Sequence, residues 1–161
     1  IEVYLRQTMT RTNLALLAAA GSAGLLLGAL AFQHLGDLAP CVLCIWQRWP
    51  HVVALVFAGL YLWRKSPSLA ALAGLAALTS AGIGVFHVGV EAAWLEGLAQ
   101  CSVNTLAGVS AEDLLNTDVT VGAPAACDKV AWSFLGLSMP GWNVIVSSFF
   151  AGLWLTAARK A

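Results

Sequence analysis

Residues 40–49 read Pro40-Cys41-Val42-Leu43-Cys44-Ile45-Trp46-Gln47-Arg48-Trp49, and the rest of the chain can be understood as their scaffold. Two thiols lie one helical turn apart, and a cation, Arg48, follows one turn later. Cysteines at this spacing share a disulfide, a metal ion or a redox cycle. The stretch opens a very apolar segment, where a permanent charge is costly and calls for a functional reason. The sequence therefore predicts a chemically active helix start at the edge of a membrane.

The composition indicates an integral membrane protein. The 161 residues are 60% hydrophobic and only 10% charged, whereas soluble domains carry about 25% charged residues. A soluble protein of this size has too little interior to bury so much apolar surface. The net charge is zero, so no basic footprint for nucleic acid is present and we expect no nucleic-acid partner.

Four apolar stretches, at about 14–32, 42–63, 69–90 and 141–158, are each long enough to cross a bilayer as a helix. They predict an all-α fold: residues 1–161 form one membrane domain, a four-helix bundle. The loops at about 33–41 and 91–140 lie outside the membrane. A cleavable signal peptide is an alternative for the first stretch, but its apolar run is longer than usual and further spans follow. Gly21, Gly24 and Gly28 predict close helix packing there.

The basic residues give the orientation. Cytoplasmic loops of membrane proteins are enriched in Lys and Arg. Only Arg48 and Lys129 fall on one side of the four-span arrangement; the other side carries Arg6, Arg11, Arg64, Lys65, Arg159 and Lys160. Both termini are therefore predicted to be cytoplasmic. The two loops and all four cysteines then face the outside, which in a bacterium is the oxidising periplasm.

The second loop contains two recognisable segments. Ser110-Ala111-Glu112-Asp113 resembles a helix start, because an N-cap serine is followed by acids in the first turn. Trp132-Ser133-Phe134-Leu135-Gly136-Leu137 is too apolar for a free loop. We expect the first segment to begin a short helix and the second to lie against the membrane interface or the bundle.

The cysteines admit several kinds of chemistry. Cys41 and Cys44 stand at a helix start, where backbone N–H groups and Arg48 favour a thiolate. Zinc is the rival, but the long loop has no histidine and no second CxxC, so we expect no metal. A Cys101–Cys127 disulfide would staple the loop, contributing about 3 kcal/mol. Two pairs on one face could also exchange through a mixed disulfide. Four cysteines allow three pairings, and the residues alone leave all three open.

Three segments together resemble the bacterial disulfide bond formation protein B (DsbB) family. The first is Phe32-Gln33-His34 followed by Pro40-Cys41-Val42-Leu43-Cys44 and Gln47-Arg48. The second is His87-Val88-Gly89-Val90-Glu91 with Trp94, and the third is Cys127-Asp128 followed by Trp132-Ser133-Phe134-Leu135-Gly136-Leu137-Ser138-Met139-Pro140. The four-span pattern agrees, so the resemblance covers most of the chain.

The resemblance implies a thiol:quinone oxidoreductase of the bacterial inner membrane, whose partner is a reduced, thioredoxin-like periplasmic protein of the DsbA type. By position, Cys101 would be attacked by that partner, and the freed Cys127 would exchange with Cys41. Cys44 would then engage a quinone, ubiquinone or menaquinone, drawn from the membrane pool. Arg48 matches the arginine of the family's quinone site.

Elementary chemistry agrees with these roles. A quinone is apolar, so its site must lie where Cys44 meets the membrane. A cation at Arg48 would stabilise negative charge on both the thiolate and a quinone oxygen; the bland alternative is an arginine that extends to the lipid headgroups. Gln47, His51 and His87 are further candidates for contacting the quinone, and a histidine satisfied by a neighbouring helix is the alternative for His87.

Other functions remain open at this point. A non-catalytic membrane scaffold with a disulfide-stapled periplasmic loop would need neither Cys44 nor a quinone. A vitamin K epoxide reductase-like enzyme is disfavoured, because that family places its CxxC in a late helix. We expect a monomer, since one copy of the chain contains every group that the relay needs.

Overall fold

A computed structural model describes residues 10–98, 101 and 125–159. Within them lie four long helices: α1 (Arg11–His34), α2 (Val42–Arg64), α3 (Pro67–Glu91) and α4 (Met139–Arg159). Each is long and apolar enough to cross a membrane, and each contains one of the four predicted spans. The predicted four-helix membrane fold is confirmed. The short helix predicted at Ser110–Asp113 lies outside the described residues.

Local chemistry sets the helix ends. The Thr10 hydroxyl accepts a hydrogen bond from the backbone N–H of Asn13 at 3.2 Å and so caps α1. Cys41 caps α2 in the same way through its sulfur. Lys65 ends α2 in the left-handed conformation (φ 53°), and Pro67 opens α3, where its missing N–H has no intrahelical partner to lose. The turn between α2 and α3 therefore reverses the chain within two residues.

The helices form a ring in which α1 and α3 each pack against α2 and α4. Small side chains from all four helices surround Tyr61 and Trp154 in an apolar layer near the ends of α2 and α4; among them are Ala15, Ala18, Ala58, Ala70 and Ala73. A second buried cluster, at the opposite end of the bundle, consists of Cys41, Leu43, Val90, Cys101 and Cys127. Among the described residues, six buried polar side chains complete the interior: Ser22, Gln47, His51, Ser80, His87 and Ser147.

The exterior of the bundle is apolar. Val56, Val85 and Phe149 are each more than half exposed on the helix faces, while the interior is rich in alanine, serine and histidine. This arrangement reverses that of a soluble protein and suits a lipid environment, where small residues let helices approach each other. Close approach is seen at Gly21, whose Cα lies against the ring of Phe150. Gly24 and Gly28 differ from expectation, because open space adjoins both.

The apolar segment before α4 forms a two-stranded hairpin, β1 (Ser133–Phe134) and β2 (Leu137–Ser138). Its two turn residues, Leu135 and Gly136, both have positive φ (51° and 79°), as a tight hairpin turn requires. The hairpin packs back on the bundle, which is one of the two positions predicted for this segment. The contacts are aromatic: Trp132 lies 5.2 Å from Phe32 of α1, and Phe134 lies 6.2 Å from Trp142 of α4, as ring centroids.

Candidate functional site

The CxxC pair forms a disulfide at the start of α2. Cys41 and Cys44 are bonded through their sulfurs, and the backbone N–H of Cys44 donates to the Cys41 sulfur at 3.1 Å. Cys41 is only 3% exposed, whereas Cys44 borders a cavity. The two sulfurs therefore face different surroundings: Cys41 faces the protein interior, and Cys44 faces the cavity.

The second disulfide joins Cys101 to Cys127 and packs in the same buried cluster as Cys41. An isolated parallel bridge pairs the backbone of Cys41 with that of Ala125, and the N–H of Cys127 donates to the carbonyl of Cys101 at 3.3 Å. Of the three possible pairings, the structure has Cys41–Cys44 and Cys101–Cys127. Because Ala125 pairs with Cys41, the chain holds both disulfides side by side, as disulfide exchange requires.

Beside Cys44 lies an apolar cavity of about 260 Å³ between α1, α2, α4 and the residues that immediately precede the hairpin. Apolar side chains make most of its wall, including Leu25, Phe32, Trp132, Met139 and Trp142. Gly24 and Gly28 of α1 border it, and a Cβ added to either would meet no atom within 4 Å. The polar groups on the wall are few; they belong to Gln33, Gln47, Arg48, His51 and Asn143. An apolar cavity with a few converging polar groups is the usual form of a small-molecule site.

Arg48 is held on the cavity wall by α1. Its Nη1 donates to the side-chain oxygen of Gln33 at 2.6 Å, and its Nη2 donates to the carbonyl of Ala29 at 3.4 Å. The one ion pair among residues 10–98, 101 and 125–159 joins Lys129 to Asp128. Within that part of the chain, no carboxylate neutralises Arg48. The guanidinium is thus oriented by two neutral groups of α1.

A network of buried hydrogen bonds crosses the bundle behind the cavity. The Asn143 side-chain N–H donates to the Gln47 side-chain oxygen at 2.8 Å. His51 lies within hydrogen-bond distance of Asn143, Ser80 and Ser147 through Nε2 and of Ser22 through Nδ1. The network ties all four helices together, and it fixes the orientation of the polar groups that face the cavity.

His87 lies on the far side of this network. Its Nδ1 is 2.9 Å from the Gln47 side-chain nitrogen, and its Nε2 is 3.7 Å from the Cys41 sulfur. His87 is buried and is not among the residues that border the cavity. Of the residues singled out from the sequence, Cys44, Gln47, Arg48 and His51 border the cavity. Cys41, Cys101 and Cys127 share one cluster, and His87 contacts Cys41.

Sequence reasoning missed Gln33 and Asn143 as site residues. Gln33 stands in the Phe32-Gln33-His34 segment, but nothing in its spacing indicates that it would hold Arg48. Asn143 is an uncharged amide near the start of an apolar span, a position that does reward inspection, because polar side chains within a membrane usually have a partner or a function.

Cys41, Cys44 and His87 also form a set of three groups capable of ligating a metal. Their ligand atoms lie within 4.8 Å of one another. In the described part of the chain, this is the one group of three such residues close enough to share a metal ion. Zinc binds cysteine as thiolate, so such a site requires the Cys41–Cys44 disulfide to be reduced. In the disulfide form the same atoms are a disulfide with a neighbouring imidazole.

Fold and site together define a multi-pass membrane protein with two adjacent disulfides. The family model described as "Disulfide bond formation protein DsbB" matches residues 11–157. The chain belongs to this family of disulfide-generating membrane oxidoreductases.

Several curated relatives carry the name "Disulfide bond formation protein B". The protein from Hahella chejuensis is 31% identical over 84% of this chain and 86% of its own length. That from Acidovorax sp. (strain JS42) is 32% identical over 92% and 87%, and that from Methylococcus capsulatus is 34% identical over 85% and 90%. No solved structure matches the chain.

Proposed function

We propose that the chain reoxidises a reduced, thioredoxin-like periplasmic protein of the DsbA type and delivers the electrons to a membrane quinone. It would act in the bacterial inner membrane as a monomeric, single membrane domain with its cysteines on the periplasmic side. One observation carries the proposal. Two disulfides share a buried cluster, and one of them opens onto an apolar cavity beside an arginine that has no carboxylate partner in the described residues.

The Cys101–Cys127 disulfide, called the outer pair below, would react with the partner. Cys101 borders a surface groove of about 560 Å³ together with Val90, Trp94, Leu95 and Asp128. A partner thiolate entering there attacks the Cys101 sulfur, a bond forms between the two chains, and Cys127 leaves as a thiolate. The partner's second thiolate then attacks the interchain bond, so that the partner departs oxidised and Cys101 is left as a thiolate.

The Cys41–Cys44 disulfide, called the inner pair below, would receive the electrons from Cys127. The Cys127 thiolate attacks the Cys41 sulfur, the Cys41–Cys44 bond breaks, and its electron pair leaves on Cys44. This direction agrees with the geometry, because Cys41 shares the buried cluster with Cys127 while Cys44 borders the cavity. The Cys44 thiolate would form close to Arg48, whose positive charge stabilises it.

The cavity residues fit a quinone. Apolar walls suit a quinone ring, the open space at Gly24 and Gly28 leaves room on the α1 side, and Arg48 supplies an oriented cation without a carboxylate partner in the described residues. Once Cys101 has re-formed its bond to Cys127 and released Cys41, the Cys41 and Cys44 thiolates would re-form their disulfide and pass two electrons to the quinone, which takes up two protons and leaves as quinol. His51 and Gln47 border the same space, where His51 could supply a proton and Gln47 would contribute to the wall.

The proposal is tested by quinone absorbance with purified protein in detergent. Reduced DsbA-type dithiol protein is the electron donor, ubiquinone and menaquinone analogues are tried in turn, and Cys101→Ser is the control. We expect sustained quinone reduction by the unaltered chain and none through Cys101→Ser. If the folded protein reduces none of the quinones, the proposal is overturned, and the non-catalytic scaffold with a disulfide-stapled loop becomes the better interpretation. Zinc analysis of the reduced protein tests the metal alternative.

Gly28→Leu should block the cavity without unfolding the bundle. Leucine is favoured over glycine inside a helix by roughly 1 kcal/mol, and no atom lies within 4 Å of the added Cβ. The side chain would occupy the space proposed for the quinone. We expect the KM for quinone to rise at least tenfold, by order of magnitude, as when a ligand's apolar contacts are lost.

The matched control is Gly152→Leu, on the exposed face of α4, where an added Cβ also meets open space. It should leave the KM for quinone unchanged. An unchanged KM in Gly28→Leu as well would mean that the quinone binds elsewhere.

A further inference from the structure

Two backbone carbonyls determine how the amides beside the cavity are turned. The Gln47 side-chain nitrogen lies 3.3 Å from the carbonyl of Leu43, and the Asn143 side-chain nitrogen lies 3.3 Å from the carbonyl of Ser80. A carbonyl can only accept a hydrogen bond, so both contacts must be made by an NH₂ group. Asn143 then donates its N–H to the Gln47 oxygen, which is consistent with the same orientation of Gln47.

This chain of donors fixes the tautomer of His87. Gln47 presents an N–H to Nδ1 of His87 at 2.9 Å, so Nδ1 must accept. In a neutral imidazole one nitrogen accepts and the other carries the proton. The proton of neutral His87 is therefore on Nε2, the atom that lies 3.7 Å from the Cys41 sulfur.

His87 stands where the two cysteine pairs meet. Its ring faces Cys41, which packs in one buried cluster with Cys101 and Cys127. With Nδ1 occupied by Gln47, the Nε2–H is the group directed at the Cys41 sulfur. A disulfide sulfur is a weak acceptor, whereas a thiolate in the same position accepts strongly, as ionised groups do.

We propose that His87 is a catalytic residue that donates its Nε2–H to the Cys41 sulfur and stabilises Cys41 as a thiolate, with Gln47 and Asn143 as its positioning residues. This inference rests on the proposed function and differs from a role in contacting quinone. The backbone N–H of Cys44 is a second donor, at 3.1 Å from the same sulfur. Cys41 thus has two N–H groups directed at it from two helices.

His87 would assist the step that releases Cys41 from Cys127 and so completes the reduction of the inner pair. The Cys101 thiolate attacks Cys127 in the Cys41–Cys127 bond, the Cys101–Cys127 bond forms, and the electron pair of the broken bond leaves on Cys41. No net oxidation occurs in this exchange. A stabilised leaving thiolate accelerates it, because exchange is faster when the departing sulfur carries negative charge easily. The titratable groups around Cys41 are His87 of α3, Cys44 of α2, and Cys101 and Cys127.

The test measures the reactivity of Cys41 directly, without quinone or partner. Fully reduced protein is alkylated with iodoacetamide at a series of pH values, and the rate at each cysteine is read from its peptide by mass spectrometry. His87→Leu removes the donor, while His87→Gln retains an N–H. We expect Cys41 in His87→Leu to react about three- to tenfold more slowly at pH 7, as expected for loss of one intramolecular hydrogen bond. Its rate–pH curve should move to higher pH, with partial recovery in His87→Gln.

Internal controls keep the result interpretable. Cys101 and Cys127 in the same samples should keep their rates, which shows that the loop and bundle remain folded. The ¹⁵N chemical shifts of His87 in the unaltered protein should be those of an Nε2–H imidazole, and an Nδ1–H signature would overturn the inference. Unchanged Cys41 reactivity in His87→Leu would overturn it as well. Quinone turnover is measured separately, so failure of the proposed function leaves this result readable.

Discussion

Cys44→Ser should abolish quinone reduction while still allowing a single exchange with the reduced partner. In this variant the outer disulfide remains, so about one equivalent of the reduced partner should be oxidised per chain before the reaction ends. A serine hydroxyl has no redox chemistry and cannot pass electrons into the cavity that Cys44 borders. We expect steady quinone reduction to fall on the order of 10³-fold or more, which corresponds to about 4 kcal/mol in the barrier.

The measurement combines quinone absorbance with quenched-flow analysis of the partner's thiols. Cys101→Ser is the complementary control, because it should lose even the single exchange with the partner. Sustained turnover by Cys44→Ser would show that electrons leave by another route. Absence of the single exchange in a folded Cys44→Ser protein would show that the outer pair does not receive the partner.

Arg48→Leu should have the second largest effect. The guanidinium borders the cavity beside Cys44, and in the described residues it has a hydrogen-bond partner in Gln33 but no carboxylate. Loss of one preorganised group that stabilises developing negative charge typically costs about 10²- to 10³-fold in rate. We expect that loss in quinone reduction, while alkylation shows the Cys101–Cys127 pair still exchanging with the partner.

Two further variants separate charge from orientation. Arg48→Lys keeps the charge but cannot donate to Gln33 and the Ala29 carbonyl as a planar fork, so an intermediate rate is expected. Arg64→Leu, at the other end of α2, removes an arginine that lies 5.1 Å from the Trp63 ring and should leave the rate near that of the unaltered chain. Full activity in Arg48→Leu would reduce Arg48 to an interfacial anchor.

Much of the fold was accessible from the sequence because the membrane imposes a simple rule. A helix that satisfies its own backbone is the cheapest way to cross lipid, so apolar length alone predicts the spans. The four predicted spans lie inside α1 to α4 for this reason. The hairpin at Ser133–Ser138 was not predicted as such, because its six-residue apolar run carries no periodicity that separates a strand from an interfacial segment.

The site was only partly accessible. Cys41, Cys44 and Arg48 follow one another at intervals of about one turn at the start of a single helix, so their proximity follows from helix geometry. The glycines show the limit of such local reasoning. Gly21, Gly24 and Gly28 look equivalent in sequence, yet Gly21 meets Phe150 while Gly24 and Gly28 border the cavity. Which face of α1 meets a neighbour depends on the rotation of the helix, and that rotation is a property of the whole bundle.

By itself, the sequence determined the membrane class, the four membrane helices, the CxxC at the start of α2 and the resemblance to a family, since each depends on composition or on neighbours along the chain. Only the tertiary structure decided that Cys41 packs with Cys127 while Cys44 faces the cavity, that Gln33 orients Arg48, and that His87 lies between Gln47 and Cys41. These contacts join residues on different helices or loops, and three-dimensional packing alone sets the distances between them.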